Sequence, residues 1–196
     1  MKIGILAFGS LIDDPGEEIA NVISGDSITL ETPFPVEYGR FSLRRGGAPT
    51  LVPHASGGSV TARILPLTFD CSKQFAMDIL WRREIHSSNS SRKYSSGTGA
   101  NAVLVKVWRD FHDFDEVFYT DFNKEGKCFD LTAGKLASAA IESVGRADPG
   151  KDGITYLLHN IRNGIITPLT PEYETSVLAM TGASSLEEAL EISKNG

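Results

Sequence analysis

The chain has 196 residues, of which 41% are hydrophobic and 22% are charged, so it can bury a core of its own and is not a disordered chain. Acidic residues outnumber basic ones by 25 to 19, which gives a formal net charge of -6. This charge argues against a nucleic-acid or membrane-surface binder, because phosphate would be repelled. No apolar run is long enough to cross a bilayer, and we expect a single cytoplasmic domain over residues 1–196.

The first two-thirds of the chain is predicted to consist mainly of strands. Residues 3–8 form a short apolar run that ends in Gly9 and Ser10, which is typical of a strand buried on both faces. Alternating apolar residues predict most of the later strands, and Pro66 indicates an edge or a bulge in one of them. We expect these strands at residues 36–43, 50–52, 59–69, 103–108 and 116–122.

One helix is predicted among the strands, at about residues 72–85, with Asp70 or Ser72 as its N-cap. Helical spacing dominates from Thr132 onward, over residues 136–144 and 154–161. Pro171 begins a further helix, and Ser184 or Ser185 caps the last one. Strands followed by grouped helices indicate an α+β fold, with a core at about residues 1–122 and a helical C-terminal extension at about 130–196.

The first candidate for a functional site is the turn Phe8-Gly9-Ser10-Leu11, where the first strand ends. Consecutive amide groups in such a turn can form a concave nest that binds an anion. The alternative is that Gly9 only permits the chain to turn. The segment is not a Walker or Rossmann loop, because the further glycines and the phosphate-binding lysine are missing.

The second candidate is Glu84, at the end of the predicted helix. At about 100° per residue, it falls on one arc with Met77, Leu80 and Trp81, so a carboxylate is expected within an apolar stripe. Burial and the negative end of the helix dipole would both raise the pKa of Glu84 towards a range useful for proton transfer. The alternative is an ion pair with a distant arginine, such as Arg40, Arg44 or Arg63.

Other features carry less chemistry. The loop at residues 86–99 contains Tyr94 among many serines and glycines, and it is either a lid or specificity loop or a solvated connection. The histidines and the two cysteines lack metal-ligand spacing, so we expect no metal and no cofactor. A hydrolase with Ser10 as nucleophile remains an alternative, although the second glycine of the nucleophile elbow is missing.

Three of these features together resemble the γ-glutamylcyclotransferase-like family. Residues 6–11 are similar to the family's first strand and its Tyr-Gly-Ser-Asn/Leu loop. Residues 60–65 are similar to its strand with a hydrophobic-x-Gly-x-hydrophobic pattern, with Ala62 in place of glycine, and Glu84 stands where the family's glutamate should be. The resemblance covers about residues 2–122. It departs from the family at Phe8, where tyrosine is frequent, and at Ile85, where glycine often follows the glutamate.

The resemblance implies a small mixed β-barrel flanked by helices, with a cavity at one end. It also implies a cyclotransferase that acts on a small γ-glutamyl amine or peptide and releases 5-oxoproline. Phe8, Gly9, Ser10 and Leu11 would then bind the substrate carboxylate, and Glu84 would be the general acid/base. Tyr94 is our candidate for a contact with the leaving group.

A different class of function also fits the sequence. The same barrel cavity could hold a small anion without catalysis, so that the chain would be a binding module. In both cases the partner is a small molecule, and we expect neither nucleic acid nor membrane as a ligand. The C-terminal helices would either cover the cavity or form the interface of a homodimer.

Overall fold

The computed structural model describes residues 1–195, which form strands and helices of an α+β protein. None of the helices described is both long and apolar enough to cross a membrane. The strands are β1 Ile3–Ala7, β2 Ile28–Glu31, β3 Val36–Ser42, β4 Ala48–Pro53, β5 Thr61–Pro66, β6 Val103–Phe111 and β7 Phe114–Phe122. The helices are α1 Glu17–Ala20, α2 Lys73–Glu84, α3 Ala133–Val144, α4 Gly153–Arg162, α5 Thr170–Thr181 and α6 Leu186–Asn195.

The chain divides into two compact units, and the first contains residues 1–31 and 62–126. Its sheet has the strand order β2-β5-β1-β7-β6. The strand β1 lies at the centre, antiparallel to β5 and parallel to β7, with Leu6 opposite Ile64 and Ile5 opposite Phe118. All five residues of β1 are buried, as its unbroken apolar run predicted. The helix α2 packs against β1, β6 and β7.

The expected barrel is wrong for the part of the chain that the structure describes. The strands β2 and β6 lie at opposite ends of the five-stranded sheet, so this sheet stays open. The strand β2 has only four residues, which are mostly exposed, and it therefore offers little apolar surface on which a barrel could close. The hairpin of β3 and β4 forms a second sheet of its own.

The second unit contains residues 32–61 and the chain from residue 127 onward. Its hairpin β3–β4 packs with α3 and α4, which pack in turn with α5 and α6. Tyr38 on β3 is fully buried, and the edge of its ring meets Tyr173 at 5.1 Å and Tyr156 at 6.4 Å between ring centroids. The helical character expected for the last third is confirmed. The single-domain organisation stays a prediction.

Candidate active site

The turn expected at the end of β1 is present, with Gly9 and Leu11 buried, whereas an anion-binding nest in this turn stays a prediction. Phe8 is still extended, with φ −141° and ψ 158°, and the chain then makes a short 3-10 turn over Gly9–Leu11. Gly9 has φ +63°, a left-handed conformation in which a Cβ atom is strained. The hydrogen bonds within the turn are donated by the amides of Ile12 and Asp14, so they do not use the amides of residues 9–11.

The helix α2 begins as predicted and ends at Glu84. The Ser72 hydroxyl oxygen accepts a hydrogen bond from the Phe75 amide at 3.2 Å, which confirms the expected N-cap. The expected apolar stripe is present only in part, because Leu80 is fully buried and the other residues of the stripe are not. Met77, Trp81 and Glu84 are only partly buried. The side chains that α2 buries are those of Ala76, Asp78, Ile79, Leu80 and Arg82, so two of the five carry a charge.

The first buried charge is the Arg82 guanidinium, whose side chain is 1% exposed. Its Nε and Nη2 atoms donate to the two carboxylate oxygens of Glu18, each at 2.8 Å. Its Nη1 atom donates to the Arg92 carbonyl oxygen at 2.6 Å. The hydrogen bonds from Arg82 to Glu18 raise the pKa of the Arg82 guanidinium. Arg82 therefore connects the helix α1, which contains Glu18, to the 86–99 loop, which contains Arg92.

The second buried charge is the Asp78 carboxylate, one helical turn before Arg82. Its Oδ1 atom accepts hydrogen bonds at 2.8 Å from the Tyr94 amide and from Gln74, and Lys93 Nζ lies 3.1 Å from Oδ2. Burial alone would raise the pKa of Asp78, but these donors outweigh burial and lower it. The middle of the 86–99 loop is therefore tethered to α2, although most of the residues of this loop are exposed, as expected for a solvated connection.

One arginine, Arg83, connects Glu84 to the turn. The Glu84 side chain is 20% exposed, and its Oε1 atom accepts a hydrogen bond from Arg83 Nη1 at 2.6 Å. Arg83 Nη2 also lies 3.3 Å from the Ser10 hydroxyl. Glu84 is thus in an ion pair with the adjacent residue on α2, whereas the alternative considered from the sequence was a distant arginine. The carboxylate and the turn contact the same guanidinium.

Tyr94 lies in the loop before β6 and is bound to this edge strand. Its hydroxyl oxygen accepts a hydrogen bond from the Val105 amide at 3.0 Å. Its ring meets the Trp81 ring at 6.2 Å between centroids. The structure thus gives Tyr94 the role of an anchor for the 86–99 loop. A contact of Tyr94 with a leaving group stays a prediction.

Sequence reasoning missed Arg83, Arg82 and Asp78, which the helical wheel directed away from the apolar stripe. One signal was available in the sequence. Asp78 and Arg82 are four residues apart and therefore share a helix face, next to the apolar residue Ile79. No group of histidine, cysteine, aspartate and glutamate side chains among residues 1–195 is arranged to hold a metal ion.

The comparisons with known proteins add no relative to this description. No protein-family model matches the chain, and no curated protein matches its sequence.

Proposed function

We propose that this chain is a γ-glutamylcyclotransferase-like enzyme that cyclises a small γ-glutamyl amine or peptide and releases 5-oxoproline. One observation carries the proposal: Glu84 and the Ser10 hydroxyl contact the same guanidinium. A candidate proton carrier and a candidate anion-binding turn therefore lie side by side. Intramolecular attack on an amide requires both, because it depends on orientation and on proton transfer.

In the proposed reaction, the amides of Gly9, Ser10 and Leu11 hold the substrate carboxylate. The neutral α-amine attacks the γ-carbonyl carbon, and a new bond forms between nitrogen and carbon. Glu84 takes the proton that this nitrogen loses. It then gives the proton to the leaving nitrogen as the bond from that nitrogen to the γ-carbon breaks. Because Arg83 engages Oε1, the second oxygen, Oε2, is the atom that we expect to carry the proton.

The partly buried position of Glu84 suits this role. A side chain that is 20% exposed can still be reached by a small substrate, while much of the surrounding water is displaced. Electrostatic interactions are stronger in such a setting than in bulk water. The hydrogen bond from Arg83 also fixes the orientation of the carboxylate, which a proton carrier needs if it is to reach two nitrogen atoms in turn.

The test is a panel of γ-glutamyl dipeptides and γ-glutamyl alkylamines incubated with the purified protein in water enriched in ¹⁸O. We expect 5-oxoproline without ¹⁸O, because ring closure uses the substrate's own nitrogen. Two matched controls should give no product: the N-acetylated analogue, which lacks the nucleophile, and the α-glutamyl isomer, whose amide is at the wrong carbon.

Two other outcomes would contradict the proposal. Glutamate carrying ¹⁸O would indicate a hydrolase, as in the alternative with Ser10 as nucleophile. Thermal stabilisation by the panel without any product would indicate a binding module, since a ligand stabilises the native state by RT ln(1 + [L]/Kd) whether or not it reacts.

A further inference from the structure

Arg83 donates hydrogen bonds to three different residues around the candidate site, and Glu84 is only one of them. Its Nε and Nη2 atoms both donate to the Asp14 carbonyl oxygen, at 3.1 and 2.6 Å. Nη2 also donates to the Ser10 hydroxyl at 3.3 Å, and Nη1 donates to Glu84 Oε1 at 2.6 Å. One guanidinium thus joins the turn after β1, the segment that follows it and the end of α2.

The segment after the turn is shaped to receive the Arg83 side chain. Gly16 has φ +77°, and a Cβ atom added there would lie 3.1 Å from Arg83 Cγ. The amide of Gly16 is in turn held by Asp14 Oδ1 at 3.2 Å. The Arg83 side chain is only 12% exposed, so its position is set by packing along its stem as well as by hydrogen bonds at its head.

The donors of Arg83 indicate what the residue does. A guanidinium has five N–H groups in a fixed fork, and four of them are used by the hydrogen bonds to Asp14, Ser10 and Glu84. Little capacity remains to bind a substrate. The planar fork can hold three acceptors in a defined arrangement, whereas a lysine ammonium on a flexible stem acts as a point charge.

We propose that Arg83 is a positioning residue, which holds the Glu84 carboxylate at a fixed place beside the turn Gly9–Leu11. This inference rests on the proposed function, because it assigns Arg83 a task in the reaction of Glu84. Arg83 does not touch the reacting atoms. Its contribution is to keep the proton carrier within reach of two nitrogen atoms, and a displacement of about 1 Å can reduce a rate about 100-fold.

The experiment compares Arg83→Met, Arg83→Lys and Glu84→Gln with the parent on the best substrate of the panel. For Arg83→Met we expect kcat to fall about 100-fold with KM changed by less than about threefold, because the amides of the turn remain. For Arg83→Lys we expect recovery of at most about a tenth of the parent kcat, since a point charge cannot replace the fork. Arg109→Met is the matched control, because the Arg109 side chain is 72% exposed and its removal changes the net charge equally.

The outcomes distinguish the positioning role of Arg83 from the catalytic role of Glu84. Parent-like kcat in Arg83→Met or in Arg83→Lys, with Glu84→Gln inactive, would overturn the positioning role and leave the proposed function standing. A rise in KM with kcat unchanged would also overturn it, because Arg83 would then act on substrate binding, directly or through the turn, and not on Glu84. Parent-like activity of Glu84→Gln would instead contradict the proposed function. If Arg83→Met fails to fold, Arg83→Lys, which keeps the stem and the charge, decides the question.

Discussion

The pair of Glu18 and Arg82 makes an asymmetric prediction, because deleting either partner removes the same ion pair but leaves a different residue behind. The Arg82 side chain is 1% exposed, whereas the Glu18 side chain is 37% exposed. Glu18→Ala leaves a buried guanidinium whose remaining hydrogen bond is the one to the Arg92 carbonyl oxygen. Arg82→Met leaves a carboxylate that water already reaches.

The expected magnitudes follow from this difference in burial. Breaking a buried ion pair by removing one partner costs about 3–5 kcal/mol. We expect about 3 kcal/mol for Glu18→Ala, the lower end of this range, because the Arg92 carbonyl oxygen and the Asp78 carboxylate still act on the Arg82 guanidinium. Arg82→Met keeps an aliphatic side chain in the buried position, and water hydrates the Glu18 carboxylate that has lost its partner. The carbonyl oxygen of the exposed residue Arg92 loses one hydrogen-bond donor. We expect a loss of about 1–2 kcal/mol in this case. The double variant should match Arg82→Met, so that Arg82→Met stabilises a chain that already carries Glu18→Ala.

The assay is urea unfolding of the parent, both single variants and the double variant, at one pH and one salt concentration. The free energies of unfolding form a double-mutant cycle, which isolates the coupling between the two side chains. If Arg82→Met proves as destabilised as Glu18→Ala, or more so, the buried charge of Arg82 is not the reason that Glu18 matters. Such a result would refute the reasoning from burial.

Two further predictions concern the residues that hold the 86–99 loop. Because the pKa of Asp78 is lowered in the native state, its contribution to stability is present above the ordinary aspartate pKa of about 3.9 and is lost as the pH falls below it. The difference in unfolding free energy between the parent and Asp78→Asn should therefore be constant near neutral pH and shrink below about pH 4. A difference that persists unchanged at lower pH would contradict an ionised Asp78 carboxylate in the native state. Tyr94→Phe removes the acceptor of the Val105 amide and should cost about 1 kcal/mol, with faster hydrogen exchange of that amide; unchanged protection of Val105 would exclude the contact.

The elements that the sequence predicted well are those with a strong local signal. The strand β1 is an unbroken apolar run, and α2 begins at a serine that caps it through its own hydroxyl. The strand β2 and the helix α1 were missed because each has only four residues. A four-residue strand shows only two periods of alternation, and a four-residue helix does not complete a second turn.

The candidate site was predicted less completely, and for a physical reason. Which face of α2 is buried depends on partners far along the chain, since Arg82 is satisfied by Glu18, 64 residues earlier. A helical wheel contains no information about that partner, so it places Arg82 and Arg83 on the side of the helix that faces solvent. The pair of Arg83 and Glu84 was also hidden, because adjacent residues on a helix do not normally face each other. Contacts with residues far along the chain, the Asp14 carbonyl oxygen and the Ser10 hydroxyl, hold the Arg83 side chain where it reaches Glu84.

In the proposed reaction, Glu84 carries the proton from one nitrogen of the substrate to the other. The most direct test is the kcat for 5-oxoproline release by Glu84→Gln, a variant that keeps the shape of the side chain and cannot take up a proton at neutral pH. General acid/base catalysis contributes about 10²–10⁴-fold, so we expect kcat to fall by at least about 100-fold while KM stays within a few-fold of the parent value. An unchanged kcat would contradict this role of Glu84.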